Sequence, residues 1–376
     1  MLEDLRNLYL LVAGDCNLAC AYCYAEGGSF GGGPRAMSPE TLRTALDKLV
    51  PEDSALVVSF FGGEPLLEFE LLRQAVAWGN ALGAERGTRL RYVLTTNGTL
   101  LDDDRLSFLK AHVSHVAVSL DGGQALTDAS RCFKDYEGSV YRVVVQNLER
   151  LKREGIPFGL RGTIPAGRAD ELDAAVAYLQ SLGPVSVRVE AAAGAEPWPR
   201  EHWHAWTEAV IRSNKRALER LMTGKEPGPA ADIYRVAAHR LNGLVRQYPC
   251  VAGQGILAVS TSGDVYPCDH FIGDPAFCMG NVRQDDFPGE AYCRIVNLLQ
   301  ANRVDDRPKC ANCRVRYLCG GECPARSLSC QGNIADPSPS HCVHTRRVLR
   351  RAERLVDTVL ADPIGRERLA ASVQRT

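Results

Sequence analysis

Six short runs of aliphatic and β-branched residues recur through the first half of the chain, at positions 8–13, 55–61, 90–96, 113–120, 158–164 and 185–190. Runs of this length between Gly, Pro, Asn and Asp read as strands. Between them the apolar positions take up a helical period, over 71–85, 104–111, 139–154 and 171–182, and an earlier helix is announced by Ser38 as N-cap with Pro39 at the first helical position. Strands alternating with helices predict a parallel sheet. The expected fold class is therefore α/β, a partial (β/α)6 barrel over residues 1–195. In such barrels the reactive groups lie on loops after the C-terminal ends of the strands.

Beyond the sixth unit the pattern changes. Residues 196–247 read as a helical linker, opened by Trp198, Trp203 and Trp206, which we assign to packing. Residues 248–345 are rich in Gly, Cys and Pro and read as a small metal-organised domain with little hydrophobic core of its own. Residues 346–376 form a tail, entered by an amphipathic helix at 343–360.

Of the 376 residues, 45% are hydrophobic, which suits a globular protein with a substantial core. Lys and Arg number 44 against 45 Asp and Glu, so no global field draws in nucleic acid or an anionic membrane. The apolar run at 8–13 is too short to cross a bilayer and follows Glu3 and Asp4 rather than a basic segment, so a cytoplasmic protein is expected. In a reducing compartment the 14 cysteines point to metal rather than disulfides. Three lie within eight residues near the N-terminus and ten between Cys250 and Cys342, which suggests two metal-bearing regions separated by a scaffold.

The first region, Gly14-Asp15-Cys16-Asn17-Leu18-Ala19-Cys20-Ala21-Tyr22-Cys23-Tyr24, follows the first strand directly. Its C-x3-C-x2-C spacing lets one loop wrap three corners of a cubane and leaves the fourth iron without a protein ligand. A zinc site would need a fourth ligand from a distant residue. After the second strand comes Phe61-Gly62-Gly63-Glu64-Pro65, where glycines allow backbone to approach a ligand closely.

Taken in order along the chain, these motifs resemble the signature of the radical S-adenosyl-L-methionine (SAM) superfamily. The resemblance implies a [4Fe–4S] cluster on Cys16, Cys20 and Cys23 whose open iron is chelated by the amino and carboxylate groups of SAM. It implies that Gly62, Gly63 and Glu64 hold the methionine amino group and that Tyr22 lies by the adenine. Thr95-Thr96-Asn97-Gly98 and Ser119-Leu120-Asp121-Gly122 would help form the SAM pocket, with Asn97 among its contacts and Ser119 and Arg131 at the ribose or carboxylate end.

The second region contains Cys250, Cys268, then Cys310-x2-Cys313-x5-Cys319-x3-Cys323, and Cys342. By spacing alone paired ligands of this kind also suit a zinc ribbon. Beside the first loop, the pattern resembles the seven-cysteine SPASM domain, which binds two auxiliary [4Fe–4S] clusters in enzymes that modify peptides and proteins. The implied outer ligands are Cys310, Cys313, Cys319 and Cys342, and the implied inner ligands are Cys250, Cys268 and Cys323. The cofactors expected are thus SAM and three [4Fe–4S] clusters, one SAM-binding and two auxiliary. Cys132, Cys278, Cys293 and Cys330 lie outside the motif as free thiols, although Cys278 is near enough to Cys268 in sequence to be a further candidate ligand.

Two SPASM subfamilies compete for the reaction. The run Cys20 to Gly32, with Leu160-Arg161-Gly162-Thr163 and Leu257-Ala258-Val259-Ser260, is similar to maturases that make Cys-derived thioether crosslinks in ribosomally synthesised peptides. Tyr266-Pro267-Cys268-Asp269-His270-Phe271 instead resembles anaerobic sulfatase-maturating enzymes, which oxidise Cys or Ser to formylglycine, and there Asp269 would be the catalytic proton acceptor. In those enzymes a further cysteine lies six residues after the first SPASM cysteine. Here that position is Ile256, so either Cys278 completes the inner cluster or one iron stays open to a substrate thiolate. The longer match favours thioether formation, and an Fe–S electron carrier is the alternative from another class. The expected partners are a peptide or protein substrate and an external electron donor, a flavodoxin or ferredoxin. Because the first strand begins by Leu8, leader recognition is expected from a separate protein if it is needed.

Overall fold

The computed structural model describes residues 2–192, 198–225 and 231–374. The domain boundary expected at residue 195 lies outside them. Six parallel strands follow the predicted positions to within one residue at each end: β1 Asn7–Ala13, β2 Ala55–Gly62, β3 Arg89–Thr96, β4 Val113–Ser119, β5 Phe158–Ile164 and β6 Ser186–Ala191. Their helices lie where the apolar period placed them. Ser38 accepts the amide of Thr41 and starts the helix Pro39–Leu49, and Ser139 accepts that of Arg142 at the head of Val140–Arg153. These side-chain oxygens satisfy amides that have no partner within the first helical turn.

Alternation along the strands separates two faces. Leu8, Leu10, Val58, Phe60, Leu94, Val116, Val118 and Leu160 are buried on one side in the main core. Tyr9, Phe61, Ala117, Ser119 and Arg161 are half-buried on the other, the lumen of the partial barrel. Because the six strands are parallel, Ala13, Gly62, Thr96, Ser119, Ile164 and Ala191 all end at one rim, where the motif loops gather.

The sheet does not stop at β1. Strand β7, Ile256–Val259, pairs parallel with β1 from Asn7↔Ile256 to Leu10↔Val259, and β8, Val265–Tyr266, closes that side antiparallel. The order is β6-β5-β4-β3-β2-β1-β7-β8. Phe271, Phe277, Met279, Val282, Tyr292 and Ile295 are buried in the same core as the barrel. The C-terminal region is therefore anchored on the barrel core, where the sequence predicted little hydrophobic core.

The supposed linker also differs from expectation. Helices Arg200–Met222, Ala231–Asn242, Pro339–Leu360 and Pro363–Val373 share a second core of Leu218, Ile233, Val236, Leu349, Val356 and Leu369. Val315 and Leu318, within the cysteine-rich segment, insert into it. The tryptophans do pack: Trp206 is buried, and Trp198 lies 5.1 Å and 5.6 Å, ring to ring, from Trp203 and Trp206. No helix of the described residues is long and apolar enough to cross a membrane.

Leu257 on β7 is fully buried against the barrel. Leu257→Ala is expected to cost about 2–5 kcal/mol in denaturant unfolding followed by circular dichroism. A loss below about 1 kcal/mol would show that β7 contributes little to the joint core.

Candidate active site

The loop carrying Cys16, Cys20 and Cys23 is shaped first by backbone contact. Gly63 N–H donates to Ala13 O and Glu64 N–H to Asp15 O, each at 2.9 Å. A Cβ on Gly62, whose φ is +149°, would stand 2.3 Å from Ala13 O, and one on Gly63 would stand 2.2 Å from Asp15 O. The sequence motive for these glycines was approach to a ligand. In the structure the immediate requirement is approach of the second strand's loop to the cysteine loop. Asp15 braces the same loop, accepting from the Cys16 amide at 2.8 Å and from Lys134 at 2.9 Å, and pairing with Arg35; these partners hold its carboxyl well below the usual carboxylate range.

Glu64 is fully buried. Its Oε1 accepts from Leu66 N at 3.0 Å and Thr96 Oγ1 at 2.8 Å, and its Oε2 from Asn97 N at 2.7 Å. Burial pushes its pKa up to about 7 even though these bonds favour the charge. The carboxylate is thus committed to the end of β3, where it holds Asn97. The Asn97 amide then donates to Asn17 Oδ1 at 2.8 Å and points to Cys16 Sγ at 3.7 Å. Of the sequence-predicted contacts, Glu64 acts here through Asn97, and Asn97 meets the cysteine loop.

Tyr22 and Arg131 converge on a residue that sequence reasoning left in the background. Asp121, fully buried, accepts the Tyr22 hydroxyl, Arg131 Nε and Nη2 at 3.0 Å each, and Thr163 N at 2.8 Å. The Arg131 guanidinium lies 5.5 Å from the centre of the Tyr22 ring. Burial opposes the charge on Arg131, yet Asp121 and its neighbours hold its pKa above the ordinary value; burial and Asp121 raise Tyr22. Ser119 ends β4 half-buried on the lumen face, in register with Arg161. Within Ser119-Leu120-Asp121-Gly122, the available sequence signal was a carboxylate at a strand end with an arginine ten residues on.

All 14 cysteines are free thiols. They include three groups whose members sense one another's charge: Cys16, Cys20 and Cys23; Cys250, Cys268 and Cys323; and Cys310, Cys313, Cys319 and Cys342. Burial pushes Cys20 and Cys342 up to about 11. Among the described residues no three His, Cys, Asp or Glu side chains gather as for a single metal ion. A cubane carries its thiolates on separate iron corners and does not require such convergence. Cys278 donates to Gly280 O at 3.7 Å.

Asp269 follows Cys268 in a short turn, Asp269–Phe271. Tyr24 donates to Asp269 Oδ2 at 3.4 Å and stacks on His270 at 4.9 Å. Ring contacts continue from Tyr24 to Phe30, Phe61 and Tyr9, so an aromatic file runs from the cysteine loop down β1. Burial raises Tyr9, with Asp269 the next cause and Arg161 opposing it.

Asp121→Asn would leave Arg131 enclosed without its counter-charge, at an expected cost of about 3–5 kcal/mol in equilibrium unfolding. Unchanged stability would remove Asp121 from its place as the anchor of the loop.

The model of the Radical SAM superfamily matches residues 10–179, and that of the iron–sulfur cluster-binding domain SPASM matches residues 250–314. The chain is 25% identical to an AdoMet-dependent heme synthase of Methanosarcina barkeri, over 89% of this chain and 95% of that protein. It is equally 25% identical to a serine-type anaerobic sulfatase-maturating enzyme of Bacteroides thetaiotaomicron, over 89% and 86%. The solved structure of histidine-tagged anSMEcpe with bound AdoMet superposes with a TM-score of 0.79 at 18% identity, covering 94% of this chain and 98% of that one. Streptococcus suis SuiB bound to S-adenosylmethionine gives 0.61 at 15% identity, covering 90% and 75%. A cysteine loop at the end of β1 in a parallel partial barrel, followed by a cysteine-rich C-terminal region and each matched by its own domain model, gives this chain a Radical SAM domain and a SPASM iron–sulfur cluster-binding domain.

Proposed function

We propose that this chain is a peptide maturase that forms a Cys-derived thioether crosslink, working with SAM, three [4Fe–4S] clusters and an external flavodoxin or ferredoxin. Cys16, Cys20 and Cys23 would hold the first cluster, Cys250, Cys268 and Cys323 the inner auxiliary one, and Cys310, Cys313, Cys319 and Cys342 the outer. When bound, SAM on the first cluster supplies a 5′-deoxyadenosyl radical that takes a hydrogen atom from the substrate.

The observation that carries the crosslinking reading is the count of inner thiols. Three cysteines form that group, Ile256 occupies the position of the extra cysteine in β7, and Cys278 is turned to Gly280. One corner of a cubane there would have no cysteine ligand among the described residues, and a substrate thiolate suits it by charge and softness. Peptide substrates fit relatives of this architecture, since SuiB has been solved bound to precursor peptide SuiA and anSMEcpe with Cp18Cys peptide.

Formylglycine formation is the second reading, favoured by Asp269 beside Cys268 and in contact with Tyr24. The discriminating assay is anaerobic, with reconstituted protein, SAM, dithionite and a synthetic cysteine-bearing peptide. A product lighter by one hydrogen molecule, whose cysteine no longer alkylates, is expected. A hydrazide-reactive carbonyl would select formylglycine, and an unmodified peptide would count against both.

Replacing Cys16, Cys20 and Cys23 together by alanine is expected to abolish 5′-deoxyadenosine formation while iron remains in the C-terminal region; full SAM cleavage by that variant would overturn the assignment. If Asp269 takes the proton released on oxidation, Asp269→Asn should lower product formation by about 10²–10⁴-fold while SAM cleavage persists. Equal product yield would leave Asp269 a hydrogen-bonding neighbour of Tyr24.

A further inference from the structure

With 1% of its surface exposed, Arg307 is the largest fully enclosed side chain among the described residues. Its Nε donates to Asn302 Oδ1 at 2.6 Å and its Nη1 to the Glu322 carbonyl at 3.4 Å. Nη2 has no partner among the described residues. The nearby Glu322 carboxylate is occupied elsewhere, by Ser338 N at 2.5 Å, Ser338 Oγ at 3.1 Å and Arg326 at 3.5 Å. Asn302, its strongest partner, is neutral and holds Ile334 O with its own amide at 3.0 Å. The other polar group the guanidinium meets is the Cys310 thiol, and a cation enclosed with only neutral partners is strongly unfavourable.

Its surroundings name the missing anion. The guanidinium lies against Cys319-Gly320-Gly321-Glu322-Cys323, the stretch that joins the outer thiol group to the inner one. A Cβ on Gly321 would stand 2.3 Å from Nη1 and 3.0 Å from Cζ, so only glycine lets the guanidinium through. The Arg307 carbonyl accepts from the Cys310 amide at 2.9 Å, which ties its backbone to the first outer ligand. With Tyr248, Pro249, Cys250 and Asn302, Arg307 also lines a cavity of about 40 Å³ on the inner side. Burial lowers its pKa, and the thiols of Cys310, Cys319 and Cys250 oppose the fall.

We propose that Arg307 is a positioning residue for the auxiliary redox sites, a single enclosed counter-charge shared by both thiol groups that favours the reduced form of the outer one. This rests on the three-cluster reading above. A fixed positive charge and N–H donors near cluster sulfurs favour the state that has gained an electron and so raise the potential. Its carbonyl is hydrogen-bonded to the amide of Cys310, the first of the outer thiols, so the outer site gains most. An electron left on the substrate side by oxidation then has a downhill place to go, and the flavodoxin or ferredoxin takes it from there.

The test uses the reconstituted holoenzyme and redox titration followed by electron paramagnetic resonance, with Arg307→Gln and Arg307→Lys. The Gln variant is expected to move an auxiliary signal to more negative potential, and the Lys variant to keep most of the wild-type value. The SAM-binding cluster is the internal control and should stay put. If Gln loses auxiliary iron while Lys retains it, the counter-charge role is likewise supported. Auxiliary potentials unchanged in Gln, or iron lost equally from both variants, would overturn it, because packing rather than charge would then be what Arg307 supplies. Wild-type protein that binds iron for the N-terminal cluster alone would overturn the three-cluster reading and this proposal together, whereas failure of the proposal alone shows as full loading with unmoved potentials.

Discussion

The buried carboxylate of Asp121 is the point on which the candidate site turns. Its two oxygens accept four donors from three separate pieces of chain: Tyr22 in the cysteine loop, Arg131 after β4 and the Thr163 amide in β5. A buried ion pair is poor evidence of net stability, since desolvation offsets most of its attraction. A fully satisfied one does restrict geometry, because any shift of one partner leaves another unpaired in a medium where that is costly. The cysteine loop is thereby fixed relative to the rim of β4 and β5, where SAM contacts were expected.

On its other side the loop is fixed chiefly by close backbone contact. The close approach of Gly62 and Gly63 to Ala13 and Asp15 leaves no room for a side chain, and Glu64 extends that contact through the Asn97 amide to Cys16. Backbone packing and a buried polar network therefore grip opposite ends of a loop of about a dozen residues, short enough to transmit both. The three thiols are held in place by protein–protein contacts rather than by disulfides.

Much of this was legible in the sequence. Strand positions were readable because the aliphatic runs are short and bounded by turn residues, and Ser38 with Pro39 marks a helix start by local chemistry alone. Strand β7 was not legible: four residues inside a Gly- and Cys-rich stretch carry no periodic signal, and only β1 makes them a strand. The second helical core was hidden for a related reason. Helices Arg200–Met222 and Pro339–Leu360 are far apart in sequence, and an apolar stripe does not state its partner. At the site, the motif letters located Glu64, but its direction depends on Thr96 and Asn97, which a one-dimensional pattern does not align. Arg307 carried no signal at all, because burial is a property of the folded cysteine-rich region.

The continuation of the sheet into β7 gives these pieces a common frame. Cys268 and Asp269 follow β8, which is hydrogen-bonded to β7, which in turn is paired with β1; the N-terminal cysteine loop leaves β1 at its C-terminal end, whereas antiparallel β8 carries the chain back toward the N-terminal end of β7 before Cys268. The first and inner thiol groups are therefore both tethered to one short strand rather than to domains joined by a linker, and the aromatic file from Tyr9 to Tyr24 spans the space between them. On the proposed reading, a substrate side chain in the lumen would meet both groups at a separation set by the sheet. Such a fixed separation suits chemistry in which a hydrogen atom leaves on one side and the remaining electron on the other, since neither partner has to move for the second event to follow the first.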